Sequence, residues 1–200
     1  MKVAFGLKAH SGWAAMVVIG TPGGQLQVVH RYRMELVEKN DASWAKQPYH
    51  AAEDLERGEA RELVKRGLVM ANRISVREMR AAVQRERQEG NEVVACAVLM
   101  GNPMPEWSVD EILAVHFRMH KAEGVLFREA LAQAAEACGL RFLGIPEKQL
   151  DEYAKRALTT SANNVRKTIA SLGKSVGAPW GKDQKEASLA AAIALSGKIK

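Results

Sequence analysis

The chain has 200 residues and is 47% hydrophobic, which suits one domain, residues 1–200, with an ample core. Its longest apolar run is far short of the roughly 20 residues that a membrane span needs. Residues 1–8 are too few and too polar for a signal peptide. With Cys96 and Cys138 in apolar runs, these features predict a cytoplasmic protein with reduced core thiols and no membrane segment.

The net charge of +6 is concentrated near the end of the chain. Residues 148–200 carry ten basic side chains against four acidic ones, and the remainder is balanced. A basic surface in one segment is typical of a protein that binds a polyanion such as nucleic acid. A solvated basic tail is the alternative interpretation.

The first part of the chain predicts a β-meander followed by a charged helical segment. Strands are expected over residues 3–8, 13–19 and 25–37, because apolar residues alternate there between short turns that contain glycine. Residues 51–90 form the most charged stretch, and residues 44–90 are interpreted as a helical insertion or as the first crossover helix of the domain. Gly67 is expected to break the helix within it.

The second part alternates between strands and helices. Residues 92–100 predict a strand covered on both faces. Ser108 and Glu111 form a capping-box pattern before a helix that is expected to break near Gly124 and to end at Gly139. A strand at residues 140–145 and helices at residues 150–158, 162–172 and 182–195 complete a mixed sheet with helices on its faces. Gly173 is expected to end the second of these helices.

The last helix carries the first candidate site. Asp183 and Glu186 are three residues apart in its first turn, so their carboxylates share one helix face. Two acids at the start of an apolar helix can hold a divalent metal ion, or they can cap the helix. His10, which follows the first strand, could face the same cleft.

A second metal pattern is weaker. His116 and His120 are four residues apart, a spacing that can bind zinc on a helix. Phe117 stands where a zinc protease would have glutamate, and no third ligand is evident from the sequence.

Three stretches resemble the RuvC family of Holliday junction resolvases, within the RNase H-like superfamily. They are residues 6–12, which resemble its first strand and turn; residues 121–140, which resemble its central helix; and residues 183–190, which resemble its terminal Asp-x-x-Asp-Ala-x-Ala pattern. The resemblance implies an α/β fold with a mixed five-stranded sheet, three antiparallel strands followed by parallel strands, and helices on both faces.

The same resemblance implies a two-metal nuclease site from which two acids are missing. Lys8 stands where the family has its first-strand aspartate, and Cys96 is the counterpart of its fourth-strand glutamate. A lysine cannot bind magnesium and would repel it. Lys8 is therefore expected to form an ion pair with Asp183 or Glu186, to bind a phosphate, or to be an ordinary strand-end lysine. Magnesium or manganese is expected only if the nuclease activity persists.

The nucleic-acid contacts are expected around the start of the penultimate helix. Hydroxyl groups and free backbone N–H groups at a helix start attract phosphates. The candidate contact residues are Lys8, Thr160, Ser161, Arg166, Lys167, Lys174 and Lys182. An ordinary capped helix is the alternative for this segment. Trp180, beside the acids, could stack on a base or plug the edge of the core.

Three functions follow from these patterns. The first is a catalytically degenerate RuvC-like protein that binds nucleic acid, DNA in preference to RNA, or acts as an interaction module. The second is a divergent metal-dependent endonuclease in which Asp183 and Glu186 are joined by Glu35 or Glu92. The third is a structural protein-binding domain, with a homodimer through the central helix as in the resembling family.

Overall fold

A five-stranded mixed sheet forms the centre of the computed structural model, which describes residues 1–158 and 162–199. The strands are β1 (Lys2–His10), β2 (Trp13–Gly20), β3 (Gln27–Glu35), β4 (Glu92–Met100) and β5 (Arg141–Pro146). Their order in the sheet is β3-β2-β1-β4-β5. The first three strands are antiparallel, and β1, β4 and β5 are parallel. The predicted fold class is confirmed.

Helices connect and cover the strands. They are α1 (Ala42–Ala45), α2 (Pro48–Ala51), α3 (Arg57–Gln88), α4 (Val109–Leu113), α5 (His116–Ala137), α6 (Leu150–Ala157), α7 (Ala162–Val176) and α8 (Lys182–Ser196). The predicted capping box at the start of α4 is present, since Ser108 and Glu111 bond each other's backbone N–H groups. No helix in the described part of the chain is both long and apolar enough to cross a bilayer.

The sheet separates two hydrophobic layers. Side chains alternate between the faces of a strand. Cys96 and Val98 of β4 therefore pack on the side that holds Leu131 of α5. Ala97 and Leu99 pack on the other side with Leu189 and further residues of α6, α7 and α8. The continuous apolar run of β4 is explained by this double burial.

Three glycines predicted to end or break helices lie inside helices instead. Gly67 is within α3, Gly124 within α5 and Gly173 within α7. At Gly67 an added Cβ would be 2.6 Å from Cβ of Pro48, and at Gly173 it would be 2.4 Å from the ring of Trp180. These two glycines permit close packing on the helix surface. Glycine inside a helix is tolerated where packing requires it, which is why the predicted breaks were wrong.

Candidate functional site

Helix α8 lies against β1, and this contact places the two acids of α8 near the end of the strand. Gly6 allows the close approach, because a Cβ there would be only 1.9 Å from the carbonyl oxygen of Ala187. Ala187, Ala190 and Ala191 give α8 a thin, fully buried face. Lys8 and His10 follow Gly6 on the same face of β1, so both point toward the start of α8.

The loop before α8 is held by β3. The guanidinium group of Arg31 donates hydrogen bonds to the carbonyl oxygens of Val176, at 2.9 Å, and Ala178, at 2.8 Å. It also donates to the carbonyl oxygen of Pro179. At the helix start, the side chain of Gln184 accepts a hydrogen bond of 2.9 Å from the backbone N–H of Gly181. These contacts fix the position from which Asp183 and Glu186 project.

A buried lysine surrounded by carboxylates is the centre of the site. The side chain of Lys8 is 8% exposed, and its ammonium group lies 2.8 Å from Glu147 Oε1 and 3.5 Å from Asp183 Oδ1. It also forms a hydrogen-bonded ion pair with Glu186, whose side chain is 12% exposed. The predicted ion pair between Lys8 and the acids of the last helix is confirmed. We call Lys8, Glu147, Asp183 and Glu186 the lysine–carboxylate cluster.

The electrostatics of the cluster favour the charged forms. Burial lowers the pKa of Lys8, but its bonds to Glu147 and Glu186 outweigh burial and raise the pKa above the ordinary lysine value. For Glu147, burial raises the pKa, but the bond from Lys8 outweighs burial and holds the pKa below its usual value. Arg128 and Lys182 add to this lowering. Lys8 and Glu147 therefore form an ion pair at neutral pH.

Further groups extend the cluster on its rim. His10 Nε2 is 2.9 Å from Asp183 Oδ2, so the expectation that His10 faces this cleft is confirmed. The ring of His10 stacks on Trp13 with centroids 4.3 Å apart. The guanidinium of Arg33 covers Trp13 at 3.8 Å from the ring centroid. The His10–Trp13–Arg33 stack lies at the β1–β2 end beside the cluster, and the sequence patterns did not reveal it.

Several acids and thiols expected near the site lie elsewhere. Cys96 packs on the opposite face of the sheet, so it does not join Lys8. Glu35 is an exposed partner of Arg33 at 2.5 Å. Glu92 pairs in register with Lys2, at the far end of β1 from Lys8. Neither glutamate therefore completes a metal site with Asp183 and Glu186.

Glu147 is the acid that the sequence patterns missed. It follows Pro146, the last residue of β5. The carboxyl ends of the parallel strands β1 and β5 lie at the same edge of the sheet, where ligand sites are commonly found in α/β folds. An acid directly after a short buried strand was the available signal. Its identification required knowing that β5 runs parallel to β1, with β4 between them.

The candidate nucleic-acid contacts are distributed around α7 and α8. Arg166 is paired with Asp151 at 2.7 Å, and Lys167 and Lys174 are exposed on α7. Lys182 is 75% exposed and lies 3.8 Å from Glu186. Thr160 and Ser161 lie outside the described residues. Contact of any of these residues with nucleic acid remains a prediction.

Trp180 plugs the core rather than offering a free stacking face. Its indole N–H donates a hydrogen bond of 3.0 Å to the carbonyl oxygen of Ile169, and its ring packs on Gly173. Of the two expectations for this residue, closure of the core edge is the one observed.

Comparison with known proteins identifies the fold. No protein-family model and no curated protein sequence matches the chain. Among solved structures, that of Thermus thermophilus RuvC aligns over 96% of this chain and 92% of its own length, with a TM-score of 0.50 and 12% identity. T. thermophilus RuvC in complex with its Holliday junction substrate aligns over the same shares, with a TM-score of 0.51 and 12% identity. The chain therefore has the RNase H-like fold in its RuvC-like form, as the sequence resemblance predicted.

Proposed function

We propose that this chain is a RuvC-like protein that binds nucleic acid and does not cleave it. The observation that carries the proposal is the ammonium group of Lys8 among Glu147, Asp183 and Glu186. The cluster occupies the edge of the sheet where the carboxylates of the resembling nucleases would hold metal ions.

The residues of the cluster do not fit magnesium. Magnesium requires oxygen ligands in near-octahedral geometry at about 2.0–2.1 Å. Here the space between the carboxylates holds a cationic side chain that is 8% exposed. A dication at that position would be repelled by Lys8, whose ammonium group is already paired with Glu147, Asp183 and Glu186. Lys8 thus supplies positive charge that a metal would otherwise supply, but its ammonium group offers no coordination position at which a water molecule could be activated.

The basic groups outside the cluster support nucleic-acid binding. Lys167, Lys174 and Lys182 are exposed on the elements that flank the cluster. Exposed lysines that contact phosphates release counterions, so binding would weaken steeply with salt. The RuvC structure solved with its Holliday junction substrate makes branched DNA the first ligand to test.

The test is fluorescence anisotropy with a labelled four-way junction, a duplex and a single strand over a range of sodium chloride concentrations. We expect affinity to fall with salt, with a slope of roughly 0.9 per phosphate contact for duplex DNA. The double variant Lys167→Glu/Lys174→Glu should weaken binding and flatten the slope. The charge-matched control Lys65→Glu/Arg73→Glu changes exposed residues of α3, on the other face of the sheet, and should have a much smaller effect.

Equal losses of DNA affinity in the two double variants would show that binding depends on overall charge, and the proposed binding surface would be wrong. Absence of binding at low salt would remove the nucleic-acid role. Cleavage of any of the three substrates with magnesium or manganese, abolished by Asp183→Asn, would overturn the non-cleaving assignment.

A further inference from the structure

Three histidines from different parts of the chain converge at the start of α5. His116 and His120 lie one helical turn apart on α5, and His50 comes from α2. One ligand atom of each lies within 4.8 Å of those of the other two. The Nε2 atoms of His116 and His120 are 3.1 Å apart. The ring centroid of His50 is 4.6 Å from that of His120 and 5.3 Å from that of His116. We call these residues the histidine cluster.

The geometry of the pair on α5 suits a shared cation. With metal–nitrogen bonds of about 2.0–2.1 Å, tetrahedral ligands lie a little over 3 Å apart. The 3.1 Å between Nε2 of His116 and Nε2 of His120 is close to this spacing. Two neutral imidazoles can instead share one hydrogen bond at that distance, but this would leave the ring of His50 without a role in the contact.

His50 is the least satisfied member of the cluster. Both of its ring nitrogens are buried and have no hydrogen-bond partner within residues 1–158 and 162–199. A neutral imidazole with a free ring nitrogen is the form that binds a metal ion. Buried polar atoms without partners carry a free-energy cost that a ligand at this position would offset.

Two carboxylates stand behind the histidines. Glu53 Oε1 is 3.1 Å from Nδ1 of His116, the nitrogen that faces away from His120. Glu123 Oε1 is 3.5 Å from Nδ1 of His50 and accepts hydrogen bonds from the backbone N–H groups of Tyr49, at 2.8 Å, and His50, at 3.3 Å. A carboxylate behind a histidine fixes the ring and raises its basicity as a metal ligand. Glu53 is thus placed to act in this way on His116, whereas the 3.5 Å contact of Glu123 with His50 is not a hydrogen bond.

We propose that His50, His116 and His120 bind a single divalent transition-metal ion, zinc in the first instance. Three imidazole nitrogens favour zinc and its neighbours over magnesium or calcium, which prefer oxygen. Three protein ligands leave the fourth tetrahedral position to water or to an added ligand. The ion would fasten α2 to the start of α5, two elements that are distant in sequence. His120 and Glu123 also line a cavity of about 300 Å³ together with His10 and Arg128.

The other grouping of metal-binding side chains in the described residues is already satisfied. His30 uses both ring nitrogens, Nδ1 at 2.7 Å from Glu86 and Nε2 at 3.3 Å from Glu89. The second oxygen of Glu86 accepts a hydrogen bond of 2.9 Å from Asn91. His30 therefore serves as the internal control for the proposal.

The experiment is isothermal titration of tag-free protein, stripped with a chelator, with zinc chloride, together with thermal unfolding and cobalt absorption spectra. We expect one zinc per chain, a zinc-dependent rise in Tm, and the visible bands of tetrahedral cobalt. His116→Ala and His120→Ala change exposed side chains and should abolish binding without unfolding the chain. Glu53→Gln should weaken it roughly 10- to 100-fold, as outer-shell changes do.

The matched control is Phe117→Ala, which removes a 64% exposed side chain from the same turn of α5 and should leave zinc affinity unchanged. His30→Ala should also retain it. The proposal is overturned if zinc affinity is the same in His116→Ala and His120→Ala as in the parent chain, if His30→Ala alone loses binding, or if zinc gives no more stabilisation than magnesium.

Discussion

Gly6 of β1 lies against the backbone of Ala187 of α8, with no room for a methyl group between them. Gly6→Ala would place a Cβ 1.9 Å from the Ala187 carbonyl oxygen, so the helix would have to move away from the sheet. Overpacking of a core costs about 1–3 kcal/mol, and more where backbone is displaced. We expect the free energy of unfolding, measured with urea, to fall by an amount at or above the top of that range. Gly58→Ala, in the first turn of α3 where nothing lies within 4 Å of the added Cβ, should not lower the free energy of unfolding. A neutral Gly6→Ala would contradict this close approach.

Lys8→Met should destabilise the chain and open the cluster to metal. Removing one partner of a buried ion pair costs about 3–5 kcal/mol, and the partial exposure of Asp183 and Glu147 places the expectation near the lower end. Lys182→Met removes a lysine that is 3.8 Å from the same Glu186 but 75% exposed, and it should change stability by less than about 1 kcal/mol. Magnesium should raise the Tm of Lys8→Met and not that of the parent chain. Equal magnesium effects on the two proteins would contradict the ion-pair interpretation of the cluster.

Glu86→Ala should be far more harmful than Glu89→Ala, although both remove a carboxylate that contacts His30. Glu86 is fully buried and accepts a hydrogen bond from Asn91 at 2.9 Å, whereas the side chain of Glu89 is 46% exposed. A buried donor left without its acceptor costs about 1–3 kcal/mol, while an exposed pair contributes about 0–1 kcal/mol. Denaturant unfolding of the two variants measures the difference, and similar losses would contradict it.

Glu123 should give the chain a stability that falls as the pH rises. Burial raises its pKa from 4.5 to about 7, although the backbone bonds from Tyr49 and His50 act in the opposite direction. Between about pH 4.5 and 7 the folded chain holds a proton that the unfolded chain has released, so stability declines across that window and is level above it. A shift of this size corresponds to about 3 kcal/mol at most.

Glu123→Gln keeps the acceptor for both N–H groups and removes the titration. The difference between the unfolding free energies of parent and variant, measured in chelator to exclude metal, should therefore depend on pH between about 4.5 and 7. A difference that is constant with pH would show that Glu123 is not held protonated by burial. This comparison also separates Glu123 from His50. Burial, and then the neighbouring His120 and His116, lower the pKa of His50, so its own titration makes stability rise with pH.

Local patterns predicted most of the fold. The bounds of β4 were predicted at residues 92–100, as observed, because an apolar run between charged and proline-rich segments has few other interpretations. The capping box at Ser108 was also local. The predicted helix ends at Gly67 and Gly173 were wrong. In the sequence, a glycine that makes room for a neighbouring ring cannot be distinguished from a glycine that ends a helix.

Contacts between site residues that are far apart in the sequence could be predicted only where the resemblance to a known fold indicated which residues meet. Lys8 and the acids of α8 were linked through the resemblance to RuvC, which supplied a contact across most of the chain. Glu147 and His50 had no such aid. Each reaches its partners because a strand or a short helix carries it there, and neither belongs to a recognisable spacing with them. The sequence showed only the spacing of His116 and His120, because the third histidine of the cluster, His50, is brought to them by the fold.

The order of the sheet leaves β3 and β5 with open edges, and both are poor templates for a further strand. On β3, Arg31 donates hydrogen bonds to the loop before α8, and Arg33 covers the ring of Trp13. His30, on the same strand, is paired with Glu86. β5 has only six residues and ends at Pro146, which has no N–H to offer. Charged, occupied or very short edges resist edge-to-edge aggregation. Self-association by strand addition is therefore disfavoured at both edges of the sheet.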